Sequence, residues 1–231
     1  MYILHYAPDN ASLIVRMVLE EMGQPYRTAL VDRSTQQQDS AEYRRVNPTG
    51  LIPAIVTPRG AIFETAAILL WLSEEHKHLA PQPGAPDRAA FLAWLFFTSN
   101  TLHSAARNLF YPEKYAGEPA AESVFAAKTR ERVTGHLTLI DRMMQSDRPD
   151  WLRADQPSVL SYYVACLIRW VQLYPQKDAG WFDLRTLPAL HALCQDLQSR
   201  PAALTAANAE GLGPTIFTRP IYADPPEGSA L

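Results

Sequence analysis

Cysteine is scarce in this chain of 231 residues: only Cys166 and Cys194 occur, both in the second half. Two isolated cysteines cannot build a disulfide framework; they fit a reduced compartment, with a single disulfide between them as the alternative. The first half holds no cysteine, so it cannot carry a Cys-x-x-Cys disulfide exchanger. No apolar stretch approaches the ~18 residues that cross a bilayer. The start, Met1-Tyr2-Ile3-Leu4-His5-Tyr6, lacks a basic segment followed by an apolar one, so no secretory signal is expected and the cytoplasm is the expected location. Runs of one charge are also missing, and the formal net charge is only −3. That balance excludes a nucleic-acid or anionic-membrane surface as the main business of the protein. The six histidines are scattered, none paired with cysteine at metal-ligand spacing, so no metal site is expected. Against these absences stands a hydrophobic fraction of 47% with 19% charged residues, the composition of an ordinary globular chain.

The first eighty residues alternate strand-like and helix-like patterns. Tyr2 to Tyr6 is a short β-favouring run, stopped by the turn residues Ala7-Pro8-Asp9-Asn10. From Ser12, Val15, Val18, Leu19 and Met22 recur at helical spacing, with Gly23 placed for a left-handed C-cap. Strands are predicted at Tyr26 to Val31, at Leu51 to Val56 around Pro53, and at Ala61 to Phe63. A weak polar helix is predicted at Gln38 to Val46 and a strongly apolar one at Thr65 to His76. The order β-α-β-α-β-β-α is that of a thioredoxin-like layer over residues 1–79. Residues 80–86, with three prolines and a glycine, read as a stiff linker. Residues 87–210 then carry only helical patterns: one capped by Asp87 and ending near Tyr111-Pro112, one opened by Pro119, and others around 159–174, 188–199 and after Pro201. Residues 211–231 read as an irregular tail draped on the surface. The fold class expected is an α/β thioredoxin-like domain followed by an all-α domain.

Two local patterns carry chemistry. Pro53 lies inside an apolar strand, where it removes a ladder donor; it marks either an edge strand or a turn that frees the Ile52 N–H and C=O for an extended peptide. Glu64-Thr65 lies where a strand passes into a helix. Open N–H groups and the dipole there suit a carboxylate, and the preceding acid suits an ammonium; a plain N-cap is the alternative.

Asn47-Pro48-Thr49-Gly50-Leu51-Ile52-Pro53-Ala54, Glu64-Thr65-Ala66-Ala67-Ile68 and the helical half with Arg200-Pro201-Ala202 together resemble the glutathione transferase superfamily, over roughly residues 1–210. The segment from Tyr6 to Leu13 is most similar to the bacterial beta class, with Ala11 where that class has its cysteine. The resemblance implies a cis Ile52–Pro53 bond and a glutathione site on Ile52, Pro53, Glu64 and Thr65. It implies thiolate formation and attack on a small hydrophobic electrophile, in a homodimer, with glutathione as co-substrate. With the cysteine replaced, Ser12 and Asn10 are the expected sulfur donors, Ser12 slightly preferred, and His103 is a further candidate from its match to a beta-class segment. Arg107, Phe110 and Tyr111 are expected to line the acceptor pocket, with Phe97 and Tyr115 as further aromatics. At Ser158, Ser161 replaces the usual acid of a capping box, which predicts a weakened reciprocal bond. A lyase, isomerase or peroxidase of the same fold, or a binding protein without chemistry, remains as an alternative.

Overall fold

The computed structural model describes residues 1–153 and 155–230. The first 76 residues form β1 (Tyr2–Tyr6), α1 (Ser12–Glu21), β2 (Tyr26–Leu30), α2 (Ala41–Val46), β3 (Ala54–Thr57), β4 (Gly60–Phe63) and α3 (Thr65–His76). The sheet order is β2-β1-β3-β4, with β1 parallel to β2 and antiparallel to β3, and β3 antiparallel to β4. This is the thioredoxin-like arrangement. The third strand begins only at Ala54, after the cis Ile52–Pro53 bond, so Leu51 and Ile52 stand outside the ladder. The predicted polar helix splits into a 3₁₀ turn, Gln37–Asp39, and α2, because Ser40 caps α2 by accepting from the Tyr43 N–H at 3.1 Å.

From residue 88 the described chain is helical: α4 (Arg88–Phe97), α5 (Ser104–Phe110), α6 (Glu122–Ser146), α7 (Val159–Leu173), α8 (Pro188–Leu197) and α9 (Pro201–Glu210). Asp87 makes no side-chain cap bond. Between α4 and α5 the helix widens into a π-helical stretch, Thr98–His103. Proline opens α8 and α9, where its missing N–H costs nothing. Buried on nearly every face, α7 is the central helix, as expected of one that is apolar all round. Its capping box is complete, contrary to the weakened bond expected: Ser158 Oγ accepts from the Leu160 N–H and Ser161 Oγ accepts from the Ser158 N–H, both at 3.1 Å. A hydroxyl at the third position reaches as well as a carboxylate here. Cys166 and Cys194 are free and buried.

The tail is irregular but is not merely draped. Leu212, Ile216 and Phe217 are fully buried. At Gly211 (φ +64°) an added Cβ would meet the Asp224 carbonyl at 1.9 Å, so the chain can double back only against a glycine. The tail then reaches the sheet layer, where Tyr6 donates from its hydroxyl to Glu227 and Gly228 packs on Leu30 and Pro8. No helix among the described residues is long and apolar enough to cross a membrane.

Candidate functional site

A cleft of about 500 Å³ opens between the β1–α1 turn, the Leu51–Pro53 segment, the start of α3 and the faces of α5 and α7. Its floor is the β1–α1 turn. Asp9 holds a left-handed conformation (φ +48°) and is buried. Arg169 donates to both Asp9 oxygens, from Nε at 2.8 Å and from a terminal nitrogen at 2.9 Å; Trp170 Nε1 donates at 2.7 Å. The Asp9 N–H donates to Glu210 at 2.8 Å, and Glu210 also accepts from Arg16 Nε at 2.7 Å. Burial pushes the Glu210 carboxyl up to about 7, against the pull of Arg16 and the Asp9 N–H. The turn is thus bolted to α7 and α9 by charged groups away from solvent.

Asn10 and Ala11 line the cleft at the start of α1. The Asn10 side-chain oxygen accepts from the Ala11 N–H at 2.8 Å, and its NH2 makes no hydrogen bond among the described residues. Ser12 is different, and the preference for it as a sulfur donor is corrected. It is fully buried and lies off the cleft; its hydroxyl donates to the Ala7 carbonyl at 3.0 Å and accepts from the Ala7 N–H. The hydroxyl fastens the turn from behind.

The Ile52 N–H and C=O have no hydrogen-bond partner among the described residues and sit on the cleft wall beside Pro53. Leu51 is held in place by its carbonyl, which accepts from Tyr43 and from the Asn47 amide, each at 2.6 Å. The plain N-cap reading of Glu64-Thr65 does not hold: the cap position is Glu64, at φ +70°, and its side chain makes no cap bond. Glu64 forms no ion pair among the described residues, and the first N–H groups of α3 stay open beside it. An acid and a helix N-terminus face the same end of the cleft.

Across from them, the π-helical stretch and α5 bring Ser99, His103, Ser104 and Arg107 to the cleft. A π turn adds a residue to the helical register, a feature frequent at functional sites. Nothing in the apolar periodicity signals it. His103 Nδ1 lies 2.8 Å from the Tyr163 hydroxyl. Burial, with Arg107 adding to it, drives the imidazole down from its ordinary 6.5 to about 4, so His103 is neutral at pH 7. Where Tyr163 donates to Nδ1, the histidine proton resides on Nε2. Phe110 and Tyr111 line the cleft; Phe97 packs edge-on with Trp94 and His136, and Tyr115 is exposed off the cleft. Arg33, Tyr163, Trp170 and Tyr174 also line it and were not among the expected residues. Arg33 carries no motif. The α7 residues look like core from their spacing, and only a polar Arg169 inside an apolar helix hinted at a buried partner.

A family model for the glutathione S-transferase N-terminal domain matches residues 11–75. Glutathione S-transferase GST-4.5 of Xanthomonas campestris pv. campestris is 29% identical over 215 residues, covering 90% of this chain and 98% of that protein. The disulfide-bond oxidoreductase YfcG of Escherichia coli K12 is 27% identical, covering 87% of this chain and 92% of that protein. Among solved structures, a sphingomonad glutathione S-transferase complexed with glutathione superposes with a TM-score of 0.73 at 27% identity, over 91% of this chain and 100% of that one. Over about nine-tenths of its length the chain is thus similar in sequence and in fold to glutathione transferases, and residues 11–75 match the N-terminal domain of that family.

Proposed function

We propose that the protein is a glutathione transferase that lowers the pKa of the glutathione thiol and directs the thiolate at a small electrophile. The observation that carries the reading is the unpaired Ile52 edge on the cleft wall, an N–H and a C=O with no partner among the described residues. An extended tripeptide satisfies both groups as an added strand would. Its γ-glutamyl end then meets Glu64 through the ammonium and the open N–H groups of α3 through the carboxylate. Thr65, the first residue of α3, lies beside that end on the same wall.

The sulfur then lies over the β1–α1 turn. The free NH2 of Asn10 and the positive end of α1 stabilise thiolate there, and neutral His103 stands opposite with one N–H to give. Ser12 is left out of this chemistry. Protein thiols take no part either, since Cys166 and Cys194 are buried off the cleft and burial pushes both thiols up. Arg107, Phe110 and Tyr111 form the acceptor end. The proposal includes a homodimer, which light scattering reads directly, and a cytoplasmic location.

The test is calorimetric titration with glutathione and S-hexylglutathione, followed by thiolate absorbance against pH at saturating glutathione. Binding is expected, with the bound thiol titrating below its ordinary ~8.5. Asn10→Ala should raise that value by about 1–2 units, the loss of one bond to an anion of ~1.5–3 kcal/mol. A wild-type complex that titrates like free glutathione would favour a binding protein without chemistry.

A further inference from the structure

The acceptor end of the cleft is cationic, and its cations have no carboxylate partner among the described residues. Arg107 is half-buried on α5, one turn beyond His103, and forms no hydrogen bond or ion pair from its side chain among the described residues. Arg33 reaches over from the segment after β2, and its guanidinium donates only to neutral oxygens: the Ala230 carbonyl at 3.1 Å and the Tyr111 hydroxyl at 3.2 Å. Lys114 stands 4.3 Å above the Tyr111 ring and has no carboxylate partner among the described residues. The carboxylates on the cleft wall do not answer them. Asp9 is taken by Arg169 and Trp170, Asp39 by Arg44 at 2.6 Å, and Glu64, at the start of α3, forms no ion pair with any of them among the described residues. A half-buried guanidinium without a counter-charge is costly to keep unless something anionic uses it.

The neighbours of these cations are aromatic. Phe110 and Tyr174 pack with ring centroids 5.7 Å apart, and Tyr111 lies between Arg33 and Lys114. Arg107 follows His103 by one helical turn, about 5.4 Å along the axis, close to the span of one benzene ring with its substituent. From these juxtapositions we infer that the acceptor is a small aromatic electrophile bearing a carboxylate, whose ring lies against Phe110 and Tyr111 and whose anion is held by Arg107 with Arg33 and Lys114. The inference rests on the glutathione reading of the cleft. In the reaction the thiolate sulfur forms a bond to the ring carbon, and the carbon–halogen bond breaks with both electrons leaving on halide. The thiol proton has gone to solvent before attack.

The test uses 4-chloro-3,5-dinitrobenzoate and its methyl ester, which present the same reacting carbon with and without the charge. After correction for their uncatalysed rates with glutathione, kcat/KM should favour the carboxylate by about tenfold or more, the scale of a charge-assisted bond. Arg107→Gln should remove most of that preference through KM, and Lys114→Gln part of it. An equal rate on acid and ester in the wild type overturns the inference. So does an Arg107→Gln protein that keeps the preference and instead binds glutathione tenfold more weakly, for the cation would then serve the glycyl carboxylate. A second arm needs no glutathione: calorimetric titration with inert 3,5-dinitrobenzoate and its methyl ester. Tighter binding of the acid, lost in Arg107→Gln, supports the anion site even where the protein binds no glutathione and the proposed function fails. Equal binding of the two overturns it.

Discussion

Glu64 holds φ +70° and ψ 119°, a conformation a non-glycine residue keeps only where its surroundings impose it. Its carboxylate is exposed, pairs with no cation among the described residues, and stands one residue before the open N–H groups of α3. A side chain set this way is available to an ammonium group. Charge-assisted bonds contribute ~1.5–3 kcal/mol, so Glu64→Gln should weaken glutathione by about tenfold or more in calorimetry. An analogue lacking the amino group should bind the wild type poorly and lose little further in the variant; losses that simply add would deny Glu64 this role. Both Glu64 and the Ile52 edge are legible in the sequence, since each lies in a short motif whose backbone geometry is local. Ser12 is not. Whether a hydroxyl in the first turn of a helix faces outward or back under the preceding loop depends on how that loop folds, and here it turns back to Ala7.

At the scale of elements, α7 decides the shape of the floor. Arg169 and Trp170 reach from the middle of a buried helix to Asp9, and Arg169 also donates to the Ile216 and Ile221 carbonyls of the tail. Asp9→Asn keeps the volume but leaves a buried guanidinium short of its counter-charge. Breaking such a pair from one side costs about 3–5 kcal/mol. The variant should lose that much stability in urea, with the unfolding midpoint lowered and glutathione affinity reduced because the turn beneath the sulfur loosens. Stability within 1 kcal/mol of wild type, a threshold on the order of one ordinary hydrogen bond, would show the pair to be dispensable. The helices themselves were readable from their apolar spacing. The π-helical stretch was not, since one added residue shifts the register of a face without changing its composition.

Over the whole molecule two titrating groups shielded from solvent act in opposite directions. His103 is held near 4 in the fold against an ordinary 6.5, so its contribution is complete above pH 6.5 and is lost as pH falls toward 4. Glu210 is held near 7 against an ordinary 4.5. Its contribution is complete below pH 4.5 and is lost as pH rises through 7. Between pH 4.5 and 6.5 the two slopes offset each other, each at most ~1.4 kcal/mol per pH unit for one proton. Glu210→Gln removes one of them. Its stability should therefore rise more steeply with pH than that of wild type across this window, whatever the absolute loss from disturbing Arg16. Parallel profiles of melting temperature against pH would show that Glu210 holds no extra proton in the fold.

By itself the sequence determined the order of strands and helices, the break in the strand at Ile52-Pro53 and the acid before α3. Each depends on residues within a few positions of one another, where periodicity, caps and turn residues act directly. Only the tertiary structure decided that Ser12 faces inward, that His103 is neutral and that Asp9 answers Arg169. It alone brought the tail's Ala230 and Arg33 to the same cleft as Arg107. These depend on burial and on charges that lie far apart along the chain, and no local pattern encodes which of them will meet once the core has closed.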